Sequence, residues 1–278
     1  MIRIIYLDID GTLRDEAQGV TAATVRALEQ CRAGGLYIVL CTGRNPASIQ
    51  ADIRRLAVDG VIAGGGCYIR LGGRELYRRT FPRQTAADAL EAAARLGLGL
   101  SVEAERRIFM NKGAAQYYRA EFDRKLAGRA DPDLALRGNG ICYQDNIGEL
   151  DLARTPVHKI CLLGEAAPLV ERALAGRCQT VQRSDGYREL LPPGCSKGSG
   201  VRLVNRTLHI AQADSLCFGD GENDLDMFEA AGVRVAVRGG CPALVRRADS
   251  LCEPPAESGI ARELERRRIL PAREQKGA

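Results

Sequence analysis

Short apolar runs and amphipathic stretches alternate through the first third of the chain. IRIIYL (residues 2–7) reads as a strand, TAATVRALEQCRAGG (21–35) as a helix closed by glycines, and LYIVLCTG (36–43) as the next strand. NPASIQADIRRLAV (45–58), with Pro46 near its first turn, predicts a second helix, and DGVIAGG (59–65) a third strand. Apolar runs of this length, separated by helices, fit a parallel sheet covered on both faces. The expected fold class is α/β, with a doubly wound parallel sheet.

The alternation loosens between about residues 83 and 190. AADALEAAARLGL (86–98) keeps a helical pattern, whereas RRIFMNKG (106–113), GICYQDN (140–146) and HKICLLG (158–164) read as strands of a different, mixed sheet. Pro192, Pro193 and Gly194 mark a hinge or turn, after which the first pattern resumes. KGSGVRLVNRTL predicts a helix, DSLCFGD (214–220) a strand, NDLDMFEAAG a helix closed by Gly232, and VRVAV (233–237) a strand. A core of residues 1–82 and 191–278, interrupted by an α/β insertion at 83–190, is therefore expected, with REQKGA as a frayed tail.

The length of 278 residues suffices for this arrangement. A composition that is 45% hydrophobic and 27% charged is that of a soluble globular protein. No run approaches the roughly 18 to 20 apolar residues of a membrane span, and MIRIIYLDID lacks the length and cleavage site of a signal peptide, so a cytoplasmic location is expected. The net charge of +5 comes from arginines interleaved with acids, as in ARELERRRIL, and there is no Trp and no nucleic-acid-binding spacing. Neither nucleic acid nor membrane is an expected partner, and the chain is expected to be a monomer or a homodimer. Ten cysteines without a CxxC pair read as small reduced core residues rather than disulfides or zinc ligands.

Chemistry concentrates where the predicted strands end, the place where open parallel sheets bind ligands. Asp8 and Asp10 follow the first strand, Thr42 and Gly43 the second, Gly64 to Gly66 the third, and GDGEND (219–224) a later one, while Lys197 starts a helix. Two carboxylates on one face of an extended segment repel each other unless a cation or a shared proton intervenes. Asp220 and Asp224 make the rim an all-oxygen acid set, which suits Mg²⁺ better than zinc. A hydroxyl (Thr42), an ammonium (Lys197), an amide (Asn223) and glycine N–H groups are donors suited to phosphoryl oxygens. AGGGC itself is compatible with a tight turn as well as a phosphate loop. His158 and His209, the two histidines, lie outside these segments, so a histidine or serine-triad mechanism lacks its parts.

DIDGTL, CTGR, GCSKG and GDGENDLDM, in that order, resemble the four motifs of the haloacid dehalogenase superfamily of phosphohydrolases. An insert between the second and third motifs resembles the Cof-type subfamily with its large α/β cap, and the similarity extends to VRVAVRGG and SGIARELE. The chain differs in having AGGGCY where the family usually shows Asn-Gly, and Gly239 and Gly240 where it usually shows Asn-Ala. The resemblance implies that Asp8 is the nucleophile that forms an aspartyl-phosphate and Asp10 the general acid and base. It implies Mg²⁺ held by the Asp8 carboxylate, the Asp10 carbonyl and Asp220, with Asp224 in support. Thr42 and Lys197 would bind phosphoryl oxygens, with Gly43 and Asn223 beside them.

The implied activity is hydrolysis of a small phosphorylated metabolite such as a sugar phosphate, pyridoxal phosphate or flavin mononucleotide. A phosphomutase of the same superfamily is the alternative within enzymes, and a non-catalytic phospho-acceptor or binding protein the alternative outside them. Arg106, Arg107, Lys112 and Arg188 in the insert are the candidate substrate-specificity residues.

Overall fold

A computed structural model describes residues 1–126, 144–182 and 187–270 of the chain. Its larger sheet has eight strands in the order β13-β12-β11-β1-β2-β3-β4-β5. Six are parallel: β1 (Ile4–Leu7), β2 (Tyr37–Cys41), β3 (Gly60–Ala63), β11 (Ser215–Gly219), β12 (Val233–Val237) and β13 (Ser250–Cys252). The hairpin of β4 (Tyr68–Leu71) and β5 (Arg74–Arg78) adds an antiparallel edge.

Alternation within β1 shows how the layers are built. Ile5 and Leu7 point to one face, where α1 (Ala22–Ala33) contributes Leu28 and α9 (Gly259–Arg266) contributes Leu264. Ile4 and Tyr6 point to the other, in one cluster with Val201 and Val204 of α6 (Lys197–Thr207), Phe228 of α7 (Leu225–Ala230) and Leu244 of α8 (Pro242–Val245). All four β1 residues are fully buried, and each such aliphatic side chain contributes about 1.5–3 kcal/mol by leaving water. The parallel sheet is thus covered on both faces, as its apolar runs require.

The second sheet is antiparallel, in the order β7-β6-β8-β10-β9, and is built from β6 (Gly99–Ala104), β7 (Ile108–Met110), β8 (Val157–Leu163), β9 (Gln179–Gln182) and β10 (Tyr187–Leu191). Leu100, Val102, Ile160 and Leu162 face α3 (Arg83–Arg95) and α5 (Ala167–Ala173). Cys161, Leu163 and Tyr187 face the other way, toward α4 (Lys112–Leu126).

Several elements differ from the pattern-based expectation. The helix expected over 45–58 is instead a 3-10 turn (Pro46–Ser48) and one helical turn, α2 (Ala51–Arg54), separated by extended backbone at Ile49 and Gln50. Asn45 caps the first piece through Oδ1, 2.8 Å from Ser48 N, and the break turns Gln50 inward. The strand expected at 106–113 is shorter, because helix α4 begins at Lys112. In GICYQDN, residues 140–143 lie outside the described residues and 144–146 are not strand; REQKGA also lies outside them. The nine described cysteines are free, and no helix among the described residues is long and apolar enough to cross a membrane.

Candidate active site

The parallel strands bring their C-terminal ends to one rim, and the residues that follow them meet there. Asp8 leaves β1 with its N–H on the Phe218 carbonyl at 3.1 Å, so it sits beside the end of β11. Gly11 has φ +84°, and a Cβ there would stand 2.5 Å from Asp220 Oδ2. Only glycine permits that approach, and it lets Thr12 Oγ1 donate to Asp220 Oδ1 at 2.8 Å. Asp8-x-Asp10-Gly11-Thr12 is therefore a turn that locks the first strand end to the eleventh.

Lys197 is 2% exposed and lies between two carboxylates, 2.5 Å from Asp8 Oδ1 and 2.6 Å from Asp224 Oδ1. The other oxygen of Asp224 accepts the N–H groups of Asp220 and Gly221 at 3.1 and 3.0 Å. Burial pushes the Asp8 carboxyl well up from the usual carboxylate range; Lys197 opposes this, while Asp224, Asp220 and Asp10 reinforce it. Burial and the neighbouring Asp224 raise Asp220 to about 6, against the hydrogen bond from Thr12. Burial alone would lower Lys197, but Asp224 and Asp8 hold it charged.

Asp8, Asp220 and Asp224 each offer a carboxylate oxygen within 4.8 Å of the others. Three hard oxygen donors, two of them on carboxyls raised by crowding and burial, fit a divalent cation such as Mg²⁺. The Asp10 carboxylate stands apart from this group. Arg44 binds it through Nε (2.5 Å) and Nη2 (2.8 Å), and Gln50 Nε2 donates to it at 3.0 Å.

Thr42 is buried, with Oγ1 accepting the Arg44 N–H at 3.1 Å. Asn223 Nδ2 lies 3.6 Å from where a side chain on Gly43 would begin, so these two residues face each other across the rim. The triple glycine instead acts behind the site. Gly64, Gly65 and Gly66 all have positive φ, and a Cβ on Gly66 would lie 2.1 Å from the carbonyl oxygen of Ser196, the residue that caps α6 just before Lys197.

A cavity of about 550 Å³ opens between this rim and the second sheet. Asp8, Asp10, Thr42, Gly43, Asp220 and Asn223 line its lower wall. Ser101, Glu103, Lys159, Tyr187 and Glu189 line the upper. Of the four insert residues expected to set specificity, none is among the lining residues. Arg188 alternates with Tyr187 and Glu189 on β10, so it projects to the opposite face and pairs with Glu171 at 3.2 Å. Arg107 pairs with Glu149 and lies over the Phe109 ring, while Arg106 and Lys112 are exposed. The two histidines are also absent from the lining, and His158 Nδ1 bonds the Arg79 carbonyl at 2.9 Å.

Residues not singled out from sequence complete the upper wall. Lys159, 3% exposed, contacts Glu103 Oε1 at 3.0 Å, Glu189 Oε1 at 3.3 Å and the carbonyl of Gly43 at 2.7 Å. The lysine thereby joins the second sheet to the loop that carries Thr42. Asn45 makes a second link, its Nδ2 donating to the Ala104 carbonyl at 2.8 Å. The available signal was a charge inside an apolar strand, in VHKICLL and in YRELL, which is unusual unless the charge is paired.

Comparison with known proteins finds relatives over nearly the whole chain. YkrA of Bacillus subtilis (strain 168) is 26% identical over 261 residues, covering 93% of this chain and 95% of its own. An HMP-PP phosphatase of Cronobacter sakazakii is 27% identical over 259 residues, covering 88% of this chain and 87% of its own. A solved haloacid dehalogenase-like hydrolase from B. subtilis superposes with a TM-score of 0.81 at 23% identity, covering 95% of this chain and 99% of that one, which shows a shared fold. With residues 5–264 matched by the family model for haloacid dehalogenase-like hydrolases, this chain belongs to that family.

Proposed function

We propose that this chain is a Mg²⁺-dependent phosphatase of small phosphorylated metabolites that works through an aspartyl-phosphate. The observation that carries the reading is the buried Asp8–Lys197–Asp224 contact, whose Asp8 lines a cavity large enough for a small metabolite. The relatives named HMP-PP phosphatase, and the solved sugar phosphatase BT4131, support a small phosphorylated compound as substrate. Residues 83–190 serve as the cap and residues 1–82 and 191–278 as the catalytic core.

In this reading an Asp8 oxygen attacks phosphorus and the ester P–O bond breaks, with the leaving oxygen taking a proton from Asp10. Water then attacks the aspartyl-phosphate and gives its proton to Asp10, which releases orthophosphate and restores Asp8. Lys197, Thr42, Gly43 and Asn223 supply donors to the phosphoryl oxygens. Asp8, Asp220 and Asp224, with the Asp10 carbonyl, would hold Mg²⁺, which when bound neutralises charge on the phosphoryl group. Arg44 and Gln50 keep the Asp10 carboxylate oriented.

The test is phosphate release from a panel of phosphorylated metabolites, with Mg²⁺ or with EDTA, beside Asp8→Asn. Release that needs both Mg²⁺ and Asp8 is expected, with Asp8→Asn losing at least about a thousandfold in kcat while melting as the wild type does. A product phosphorylated at another hydroxyl, without free phosphate, would favour a phosphomutase instead.

A further inference from the structure

The face of the second sheet that overlooks the cavity has an unusual composition. Pairing in register sets Glu103 of β6 opposite Lys159 of β8, and Ser101 opposite Cys161; Glu189 of β10 also pairs with Cys161. Strand alternation sends Ser101, Glu103, Lys159 and Glu189 to this one face. Lys159 has three near partners, Glu103, Glu189 and the Gly43 carbonyl, matching the three protons of its ammonium. It has no donor left for a ligand.

What the wall still offers is a carboxylate oxygen on Glu103, which accepts, and a hydroxyl on Ser101, which can accept or donate. Glu103 Oε2 and Ser101 Oγ are both shielded from water and have no hydrogen-bond partner, although both residues line the cavity. Ser101 is 1% exposed and Glu103 is 7% exposed. An unpartnered buried oxygen is unfavourable, and a ligand donor in the cavity would relieve it. The formal charge of the Glu103, Lys159 and Glu189 set is −1, which disfavours a carboxylate or a second phosphate at this end.

We propose that Ser101 and Glu103 form the substrate-discriminating subsite of the cavity, which favours a leaving alcohol bearing hydroxyl or amino donors and disfavours one bearing an anion. The proposal rests on the phosphatase reading and narrows its substrate class. A site built to bond a donor discriminates strongly against the analogue without it, because its own buried groups then stay unpaired.

The experiment measures kcat/KM for two matched pairs, pyridoxamine phosphate against pyridoxal phosphate, and a hexose phosphate against the corresponding phosphorylated aldonate. The wild type, Ser101→Ala and Glu103→Gln are compared, with p-nitrophenyl phosphate as a reference for wild-type chemistry. The wild type is expected to prefer the donor-bearing, non-anionic member of each pair by about tenfold or more. That ratio should fall at least severalfold in either variant. Removing the Ser101 hydroxyl disturbs no recorded bond, so this variant serves even if Glu103→Gln, which alters the Lys159 contacts, fails to fold. A wild-type ratio near one, or a ratio unchanged in Ser101→Ala, overturns the subsite while turnover of p-nitrophenyl phosphate leaves the phosphatase reading standing. Failure of the wild type with Mg²⁺ to release phosphate from any compound overturns both.

Discussion

Arg44 holds Asp10 by both carboxylate oxygens, with Nε 2.5 Å from Oδ2 and Nη2 2.8 Å from Oδ1, while its Nη1 donates to the Ser48 carbonyl at 3.0 Å. The guanidinium fork is anchored at one end and fixes Asp10, the proposed proton carrier, at the other. A lysine cannot reproduce a two-point grip. Arg44→Lys is expected to lower kcat about tenfold to a hundredfold with a KM change below about threefold, because small displacements of a catalytic group cost this much. Steady-state phosphate release gives both values, and an unchanged kcat would remove Arg44 from the site.

Lys159 neutralises charge in a place with little water. Burial pushes Glu103 up even with the lysine beside it, and the lysine itself is held charged by Glu103 and Glu189 against the effect of burial. Lys159→Met should destabilise the protein by about 3–5 kcal/mol, since it leaves two buried carboxylates without a counter-charge. In that variant the Glu103 carboxyl has a folded pKa above its unfolded value, so its folded form is favoured at low pH and weakened as pH rises. Urea unfolding of wild type and variant should therefore show a larger gap at pH 8 than at pH 5, both on the order of kcal/mol.

Gly66 touches the start of the helix that carries Lys197. With φ +94° and only 2.1 Å between its would-be Cβ and the Ser196 oxygen, Gly66→Ala has to push backbone against backbone. A loss of about 2–4 kcal/mol is expected, with reduced phosphate release at temperatures where the variant stays folded. Gly72, at φ +54° with open space around it, is the control: Gly72→Ala pays only the left-handed conformation, about 1 kcal/mol. Equal melting temperatures for the two variants would count against the packing argument.

Glu263, on α9, receives Ser250 Oγ, Arg266 and Arg267 at 2.7 Å each. Burial alone would raise its carboxyl, yet the hydrogen bonds from Arg266, Ser250 and Arg267 outweigh it and hold the group at about 2. A depressed folded pKa contributes stability above the unfolded value near 4.3, and that stability is lost as pH falls from there toward about 2. Glu263→Gln should therefore cost about 1–3 kcal/mol at neutral pH, with the difference from wild type shrinking through this window. Acid unfolding followed by circular dichroism measures it.

Much of this arrangement was legible in the sequence for a physical reason. Asp8, Thr42 and Asp220 each follow an apolar run, and in a parallel sheet such positions converge whatever the distance along the chain. Lys197 follows a serine cap, which is also a local signal. The expected helix at 45–58 failed because a helical pattern of apolar residues cannot reveal that Gln50 turns inward to Asp10. The specificity expected of Arg106, Arg107, Lys112 and Arg188 rests on their charge and their place in the insert, whereas the cavity wall is decided by strand parity. Arg188 and Glu189 are adjacent, and only the second faces the cavity. Parity needs the register of β8 and β10, which two short strands do not disclose by themselves.

The place of β1 between β2 and β11 has a consequence for biosynthesis. A ribosome that has released residues 1–200 has supplied β1 with only one neighbour, because Ser215–Gly219 has still to be made. Until then one edge of an all-apolar strand is uncovered, and Asp8 lacks both Asp220 and Asp224. The rim is completed only once residues 215–224 have been made. Nascent or truncated chains that stop before residue 215 expose an edge prone to pairing with other chains, so quality control of this protein falls mainly on that interval.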